Sequence, residues 1–256
     1  STPHDTLFPY TTLFRSGNFI DVHNCTLDGN KALFNGSDVS GRGGGLDVAG
    51  ENCTIYDLDV SNNTADREGG AFYVKSSNIH FYDIQSINNT AQRGGSSYIY
   101  GDNITVSDSE FNNNRAIFNG TEGTGLGGAL DILGNGCTFY NVTSNGNNAT
   151  LGGSTFIRGN NTVIRNCTLD NNNATLRGGA INVAGNNCNV TDVDVSGNVA
   201  GTDGGAVYVK GDYASFVNVE SYNNTASRGG STFIEGNFID VHNCTLDGNK
   251  ALFNGS

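Results

Sequence analysis

The sequence predicts an all-β protein, a single-stranded parallel β-helix of about nine coils with about 25 residues in each coil. Three observations support this fold: an Asn-x-Ala signature that recurs nine times, a Gly-Gly pair followed by a small residue, and apolar residues at strand spacing without a helical stripe. Successive signature asparagines lie 25, 26 or 33 residues apart, so two coils carry an eight-residue loop insertion. A period in this range is typical of a solenoid.

Each coil is predicted to contain three short strands separated by bends. Counting back from the signature alanine, positions −12, −10, −7 and −5 are mostly apolar, as in Ile20, Val22, Cys25 and Leu27. A spacing of two indicates a strand, and the spacing of three in the middle indicates a bend. An aliphatic residue three positions after each small residue marks the third strand. Equivalent strands stacked about 4.8 Å apart would form three parallel sheets.

The signature asparagines are predicted to form a structural ladder inside the helix. At an inward bend, one side-chain amide can donate to the carbonyl oxygen of the asparagine one coil away, which pairs buried polar groups. Position −8 is Asn or Asp in all nine coils, and these residues tolerate close turns. The Gly-Gly pairs are interpreted as turns that require positive φ or a close backbone approach. The predicted ladder consists of Asn30, Asn63, Asn89, Asn114, Asn147, Asn172, Asn198, Asn224 and Asn249.

Charge and cysteine usage limit the partners of the chain. The 256 residues carry a formal net charge of −12, whereas nucleic acids and anionic membranes attract basic surfaces. We therefore expect no nucleic-acid partner and no direct membrane insertion. The six cysteines lie in two inward columns without a cysteine at the same position of an adjacent coil, so buried free thiols are expected. No CxxC pair occurs, which argues against a zinc site.

The two ends of the sequence are unusual. Residues 1–16 do not fit the repeat and are interpreted as a non-native segment that is disordered or loosely packed, since residues 6–16 resemble a translated sequencing adaptor. The alternative is an unusual native N-terminal cap. The β-helix is assigned to residues 17–256 and is interpreted as truncated and uncapped. Its first coil, residues 17–37, is identical to residues 236–256, and both a genuine repeat and an assembly overlap would explain this identity.

Short motifs resemble those of two groups of repeat proteins. The GGA(I/L/V) and FxxN motifs of polymorphic outer-membrane-protein repeats are similar to GGAF (69–72), GGAL (127–130), GGAI (178–181), GGAV (204–207), FNNN (111–114), LDGN (27–30) and LDNN (169–172). The NNTA segments at 62–65, 88–91 and 223–226 also resemble adhesin-like surface proteins of methanogenic archaea. The resemblance covers residues 17–256 and implies a secreted, right-handed β-helix at the cell surface with a role in attachment.

Two sets of polar residues are candidate surface sites. Asn35 and Asn119 lie in Asn-x-Ser/Thr sequons within the insertion loops and are the preferred glycosylation candidates in a secreted protein. Asp57, Asp83 and Asp108 occupy one column on three successive coils, where calcium would relieve their mutual repulsion. The alternative is a solvated turn column in an acidic protein. No other cofactor is expected.

An outward aromatic column is the third candidate. Tyr73 is expected to stack on Tyr98, and Tyr208 on Phe233, because each pair occupies one position on adjacent coils. Such stacks would form a platform on which sugar rings can rest. Ordinary cross-strand packing explains the pairs equally well.

The favoured function is that of a non-enzymatic extracellular repeat rod of an adhesin-like cell-surface protein, which attaches to glycans or partner cells. The alternative is a polysaccharide-active β-helix enzyme, a lyase or glycosidase, or its non-catalytic relative. Such an enzyme needs a unique cluster of acids or bases that breaks the repeat. Here the acids recur in columns, and arginines recur just before the Gly-Gly turn, at positions 42, 93, 177 and 228. Ice binding would need a regular threonine array, and position −6 is irregular.

Overall fold

The computed structural model describes residues 13–36 and 40–252 of the chain. Within these ranges the chain has no helix and winds into a parallel β-solenoid of about eight turns with about 26 residues per turn. The predicted all-β parallel β-helix is confirmed. Nine copies of the signature enclose eight intervals, which explains why about nine predicted coils give about eight turns. The right-handedness that the resemblance implied stays a prediction.

Three parallel sheets run along the solenoid, and equivalent strands of adjacent turns are hydrogen-bonded neighbours. The first sheet has nine four-residue strands: Leu13–Ser16, Leu46–Ala49, Phe72–Lys75, Ser97–Tyr100, Leu130–Leu133, Thr155–Arg158, Ile181–Ala184, Val207–Lys210 and Thr232–Glu235. The second sheet has ten strands, most of them long: Asp21–Asp28, Thr54–Ser61, Ile79–Ile87, Ile104–Asn112, Thr138–Asn145, Thr162–Asp170, Cys188–Ser196, Ser215–Tyr222, Asp240–His242 and Thr245–Asp247. The third sheet has nine short strands: Lys31–Ala32, Thr64–Ala65, Thr90–Ala91, Arg115–Ala116, Asn148–Leu151, Asn173–Arg177, Val199–Ala200, Thr225–Ala226 and Lys250–Ala251.

The predicted bend at position −8 lies inside a continuous strand of the second sheet. Asp108 has a left-handed backbone with φ of 48°, yet the strand continues from Ile104 to Asn112. Because this residue turns the chain locally, Val106 before it and Ser109 after it are both buried. The first two strands predicted for each coil are therefore one bent strand, and the third sheet comes from the segment around the signature.

Left-handed residues recur every five positions along these bent strands. In one turn they are Asn103, Asp108 and Asn113, with φ of 56°, 48° and 56°. Positions −13 and −3 are thus corners of the same kind as position −8, and Asn, Asp or Gly occupies nearly all of them. Phe19, Tyr213 and Phe238 are exceptions at position −13, with φ of 58°, 60° and 58°.

A large apolar cluster extends along the interior of the solenoid, and Ala32, Ala65 and Ala91 form a second, small one. The largest fully buried side chains include Phe72, Phe81 and Phe111. Cys53, Cys137, Cys167 and Cys188 are buried free thiols, whereas Cys25 and Cys244 are partly exposed. The prediction of buried free thiols is confirmed at the first four positions, and the predicted burial is wrong at Cys25 and Cys244. Burial raises the pKa of the Cys137 and Cys188 thiols to about 12.

The two glycines of each Gly-Gly pair have different structural roles. Gly94 has φ of +57°, and a Cβ added there would overlap the carbonyl group of Ser97. Gly95 passes so close to the next turn that a Cβ would overlap the carbonyl oxygen of Gly128. Positive φ therefore explains the first glycine, and close backbone approach explains the second.

The first sheet begins before the boundary predicted at residue 17. Leu13–Ser16 pairs in parallel with Leu46–Ala49, so four residues assigned to the non-native segment form a strand. The rest of that segment, residues 1–12, lies outside the described residues, and so do residues 37–39 of the first insertion loop and residues 253–256 of the last coil.

Candidate binding surface

The nine signature asparagines form one hydrogen-bonded ladder in the interior. From Asn63 onward, each Oδ1 atom accepts from both the backbone N–H and the Nδ2 of the asparagine one turn earlier; Asn147 accepts from Asn114 at 2.8 and 3.2 Å. The eight side-chain steps measure 2.9–3.2 Å. Asn114 Nδ2 also donates to the carbonyl oxygen of Ser86, at 3.0 Å. This pairing satisfies polar groups inside an apolar core, which fits a structural role.

Three turns contain an additional buried hydroxyl pair. Where serine replaces the apolar residue at position −5, serine also follows the next Gly-Gly pair, and the two hydroxyl groups lie 2.6 Å apart. The pairs are Ser86 with Ser96, Ser144 with Ser154, and Ser221 with Ser231. The sequence shows that serine occurs at both positions in the same three turns, but no contact between these serines was predicted from it.

A second ladder lies on the outside, at the turn between the first and second sheets. At position −14, the backbone N–H of each residue donates to the side chain one turn earlier; Asn135 N donates to Asp102 Oδ1 at 2.7 Å, and Asn160 N to Asn135 Oδ1 at 2.9 Å. This direction is opposite to that of the interior ladder. The outer ladder runs without a break through Ser77, Asp102, Asn135, Asn160, Asn186, Asp212 and Asn237.

The predicted aromatic stacks form, but most of their rings are covered. Tyr73 and Tyr98 are parallel with ring centroids 5.4 Å apart, and Tyr208 and Phe233 are 5.7 Å apart. The three tyrosines are only 7%, 6% and 3% exposed, whereas Phe233 is partly exposed. The three tyrosine rings therefore offer little open face in this arrangement, and sugar binding at Tyr73, Tyr98, Tyr208 and Phe233 stays a prediction.

Arginine side chains cover these rings. Guanidinium groups lie 4.2–5.2 Å from the ring centroids, a distance typical of cation–π contacts. The pairs are Arg42 over Tyr73, Arg93 over Tyr98, Arg177 over Tyr208 and Arg228 over Phe233. The arginines that precede the Gly-Gly turns therefore form an outer layer on the first sheet.

Buried aspartates anchor this arginine layer. The Asp131 carboxylate is fully buried, and it accepts from Arg93 Nε at 2.8 Å and from an Arg158 Nη at 3.1 Å. Burial raises the pKa of Asp131, and the two guanidinium groups oppose that shift. Asp203 is held in a similar way between Arg177 and Arg228. Such paired charges fix the arginine side chains in place.

A depression of about 380 Å³ lies at the edge of this layer, where the first-sheet strands end. Tyr100, Leu133 and Arg158 are register neighbours on three successive turns and line it together. Tyr100 is 50% exposed. Ser77, Asp102 and Asn135 of the outer ladder also line it, together with Gly101 and Gly134. Sequence reasoning missed this site, although Tyr–Leu–Arg is unique in a column that otherwise reads Ser16, Ala49, Lys75, Ala184, Lys210 and Glu235.

The predicted calcium column is exposed. Asp57, Asp83 and Asp108 all project from left-handed corners of the second sheet, and Asp108 Oδ1 accepts from Asn141 Nδ2 at 2.7 Å. Among residues 13–36 and 40–252, no group of three or more His, Cys, Asp or Glu side chains is placed to hold a metal ion. Calcium binding at this column stays a prediction.

Both predicted glycosylation residues are exposed in the insertion loops. Asn119 Oδ1 accepts from the backbone N–H of Thr121 at 2.9 Å and from the Thr124 hydroxyl at 3.1 Å, which orders the second loop. Asn35 N donates to the Ser40 hydroxyl at 3.1 Å in the first loop. Glycan attachment at Asn35 and Asn119 stays a prediction.

These features define a β-solenoid repeat protein with a hydrogen-bonded interior and a side-chain pattern outside that varies from turn to turn. The Chlamydia polymorphic membrane protein repeat matches two segments, residues 57–75 and 192–210. Each segment runs from the left-handed aspartate at position −8, through a ladder asparagine and a Gly-Gly pair, to the end of the next first-sheet strand. The chain is thus similar to these repeats at equivalent places in two distant turns.

Other comparisons gave no match, either among the curated proteins or among the solved structures. Over the described part of the chain, no helix is long and apolar enough to cross a membrane. The resemblances to archaeal adhesin-like proteins and to a sequencing adaptor stay predictions.

Proposed function

We propose that the chain is a non-enzymatic, extracellular repeat rod of an adhesin-like cell-surface protein, which attaches to glycans or partner cells. The observation that carries this proposal is the match of the polymorphic membrane protein repeat to equivalent segments of two turns. The two matched segments contain Asn63 and Asn198 of the interior ladder, so the similarity includes residues that determine the fold.

The arrangement of side chains supports a display function. Every turn repeats the interior asparagine, whereas the outward position −9 changes from turn to turn: His23, Tyr56, Tyr82, Ser107, Tyr140, Arg165, Thr191, Val217 and His242. His23, Tyr56 and Tyr82 stack in a row, with ring centroids 4.8 and 4.6 Å apart. A rigid rod that holds different groups one turn apart is suited to contacts with an extended surface.

The alternative is a polysaccharide lyase or glycosidase. Such an enzyme needs an accessible acid or base near the scissile bond. Asp131 lies in a cluster of charged side chains with Arg93 and Arg158, but its carboxylate is buried and engaged by both guanidinium groups. That geometry favours a structural role for Asp131 over proton transfer.

Two measurements on the same protein separate the hypotheses. Beads coated with the full chain are tested for attachment to cells and to a glycan array, and soluble polysaccharides are tested for release of unsaturated or reducing sugar ends. We expect attachment without release of sugar ends. Turnover of any polysaccharide would overturn the non-enzymatic proposal, and absence of attachment in both formats would overturn the adhesin proposal.

A further inference from the structure

The depression beside Tyr100 combines an apolar floor, an aromatic wall and a polar rim. Tyr100 and Arg158 both flank Leu133 in the first sheet, one strand away on each side. Strand spacing places these walls about 10 Å apart. A saturated six-membered ring that contacts each wall at about 4 Å fits between them.

The polar groups around the depression are held before any ligand arrives. Asp102 Oδ1 accepts from the backbone N–H and Nδ2 of Asn135, at 2.7 and 3.2 Å. The Ser77 hydroxyl oxygen accepts from the backbone N–H of Asp102 at 3.1 Å. The Asp131 carboxylate fixes Arg158 from below. Groups preorganised in this way lose little conformational entropy when they bind a ligand.

We propose that this depression binds a neutral pyranose sugar, which stacks one face on Tyr100 while its hydroxyl groups meet Asp102, Asn135 and Arg158. This proposal deepens the proposed attachment function by naming a ligand class and a site, and it rests on that function. An apolar wall with a few convergent polar groups is the usual form of a small-ligand site.

Charge selects a neutral sugar over an acidic one. The guanidinium of Arg158 is already paired with Asp131, and Asp102 adds a negative charge to the rim. The net charge of −12 on the chain also repels anions. A uronic acid would therefore bind less tightly than the corresponding neutral sugar.

Two variants test the site without threatening the fold. Tyr100→Ala removes the half-exposed aromatic wall. Leu133→Lys fills the floor with a side chain that the same column already accommodates at Lys75 and Lys210. Tyr213→Asn is the matched control, because Tyr213 is an exposed tyrosine outside the depression at a corner where asparagine is common. Circular dichroism and thermal unfolding verify that all three variants fold.

Binding is measured by saturation-transfer difference NMR with methyl α-D-glucopyranoside, methyl β-D-galactopyranoside and methyl α-D-mannopyranoside, with D-glucuronate for comparison. We expect at least one neutral glycoside to bind, at least tenfold more weakly to the folded Tyr100→Ala and Leu133→Lys variants, and equally well to Tyr213→Asn. The proposal is overturned by no binding of any glycoside, by binding that both site variants retain, or by tighter binding of glucuronate.

The bead-attachment assay distinguishes this proposal from the broader one. Attachment of wild-type beads to cells, without binding of any glycoside, would overturn the sugar site and leave the adhesin proposal standing. Tyr100-dependent binding of a glycoside, without attachment to cells or arrays, would support the site and overturn the adhesin proposal.

Discussion

Asn89 and Asn114 are joined by two hydrogen bonds that end on one oxygen atom. Oδ1 of Asn114 accepts from the backbone N–H and from the Nδ2 of Asn89, both at 3.0 Å. Both residues are fully buried, so water cannot replace either bond. A slip of one residue between these turns would leave several buried polar groups unpaired, and the ladder therefore fixes the register of the turns.

Removal of one ladder side chain is expected to be costly. Asn114→Ala leaves the backbone N–H of Asn89 unpaired and removes the Nδ2 donor from both Asn147 Oδ1 and the carbonyl oxygen of Ser86. Asn89 Nδ2 keeps Val60 and Ser86 as acceptors, and Asn147 Oδ1 keeps the backbone N–H at position 114. Since each unpaired buried group costs about 1–3 kcal/mol, we expect the free energy of unfolding in urea to fall by about 3 kcal/mol. Asn113→Ala is the control, because Asn113 is exposed and loses only the preference for its left-handed corner, about 1 kcal/mol. Equal losses in the two variants would contradict the structural role of the ladder.

The second glycine of a Gly-Gly pair is expected to tolerate no side chain. In Gly95→Ala the new methyl group would overlap the backbone of Gly128 and Arg115, which flexible side-chain motion cannot relieve. We expect a loss of more than about 4 kcal/mol, or failure to fold, in thermal and urea unfolding. Gly123→Ala in the second insertion loop meets no atom within 4 Å and should cost only about 1 kcal/mol for its positive φ. A well-folded Gly95→Ala variant would disprove the close approach of the turns.

The buried carboxylate of Asp131 is expected to stabilise the arginine layer. Asp131→Asn removes the carboxylate between the partly buried guanidinium groups of Arg93 and Arg158, and leaves Arg93 with only Glu68, 3.5 Å away. Breaking a buried pair in this way typically costs about 3–5 kcal/mol. Glu235→Gln breaks the exposed Lys210–Glu235 pair, 3.5 Å apart, and should cost less than about 1 kcal/mol. Urea unfolding of the two variants compares these losses, and a smaller loss in Asp131→Asn would refute the prediction.

The Asp47 carboxyl is expected to reduce stability as the pH rises. Desolvation raises the pKa of Asp47 from 3.8 to about 6, and Arg42, with its Nη2 3.8 Å from Oδ2, only partly opposes this shift. Between about pH 4 and 6 the folded state keeps a proton that the unfolded state releases, so the contribution of Asp47 to the free energy of unfolding falls across this window.

Thermal unfolding at pH 4, 5, 6 and 7 tests this dependence. The wild-type protein should lose more stability between pH 4 and 6 than Asp47→Asn, whose amide does not titrate. Asp59→Asn removes an exposed carboxylate of the second sheet and controls for the change in net charge. Parallel pH profiles of wild type and Asp47→Asn would show that Asp47 is not the titrating group.

The interior of the solenoid could be predicted because its constraints repeat. Asn89 and Asn114 must face each other at every turn, and Gly95 must stay small at every turn, so both appear as columns in the sequence. Serine pairs such as Ser86 and Ser96 could also be predicted, because serine at one of the two positions is accompanied by serine at the other in the same turn. The recurrence of Asn, Asp or Gly every five residues likewise marked the left-handed corners.

The outer surface could not be predicted in the same way, because its shape depends on the conformations of long side chains. Tyr98 occupies an outward position, yet Arg93 folds across its ring at 4.4 Å and covers it. The depression exists because Leu133 is shorter than Tyr100 and Arg158 on either side. Neither effect follows from whether a position points inward or outward.

The interior ladder also has a consequence for how such a chain changes in evolution. Each rung offers the next the same two donors and one acceptor, regardless of what the outer positions carry. Unequal recombination between repeats can therefore duplicate or delete whole modules without creating a mismatched junction. Length and surface chemistry can then diversify independently, while the backbone scaffold is inherited unchanged.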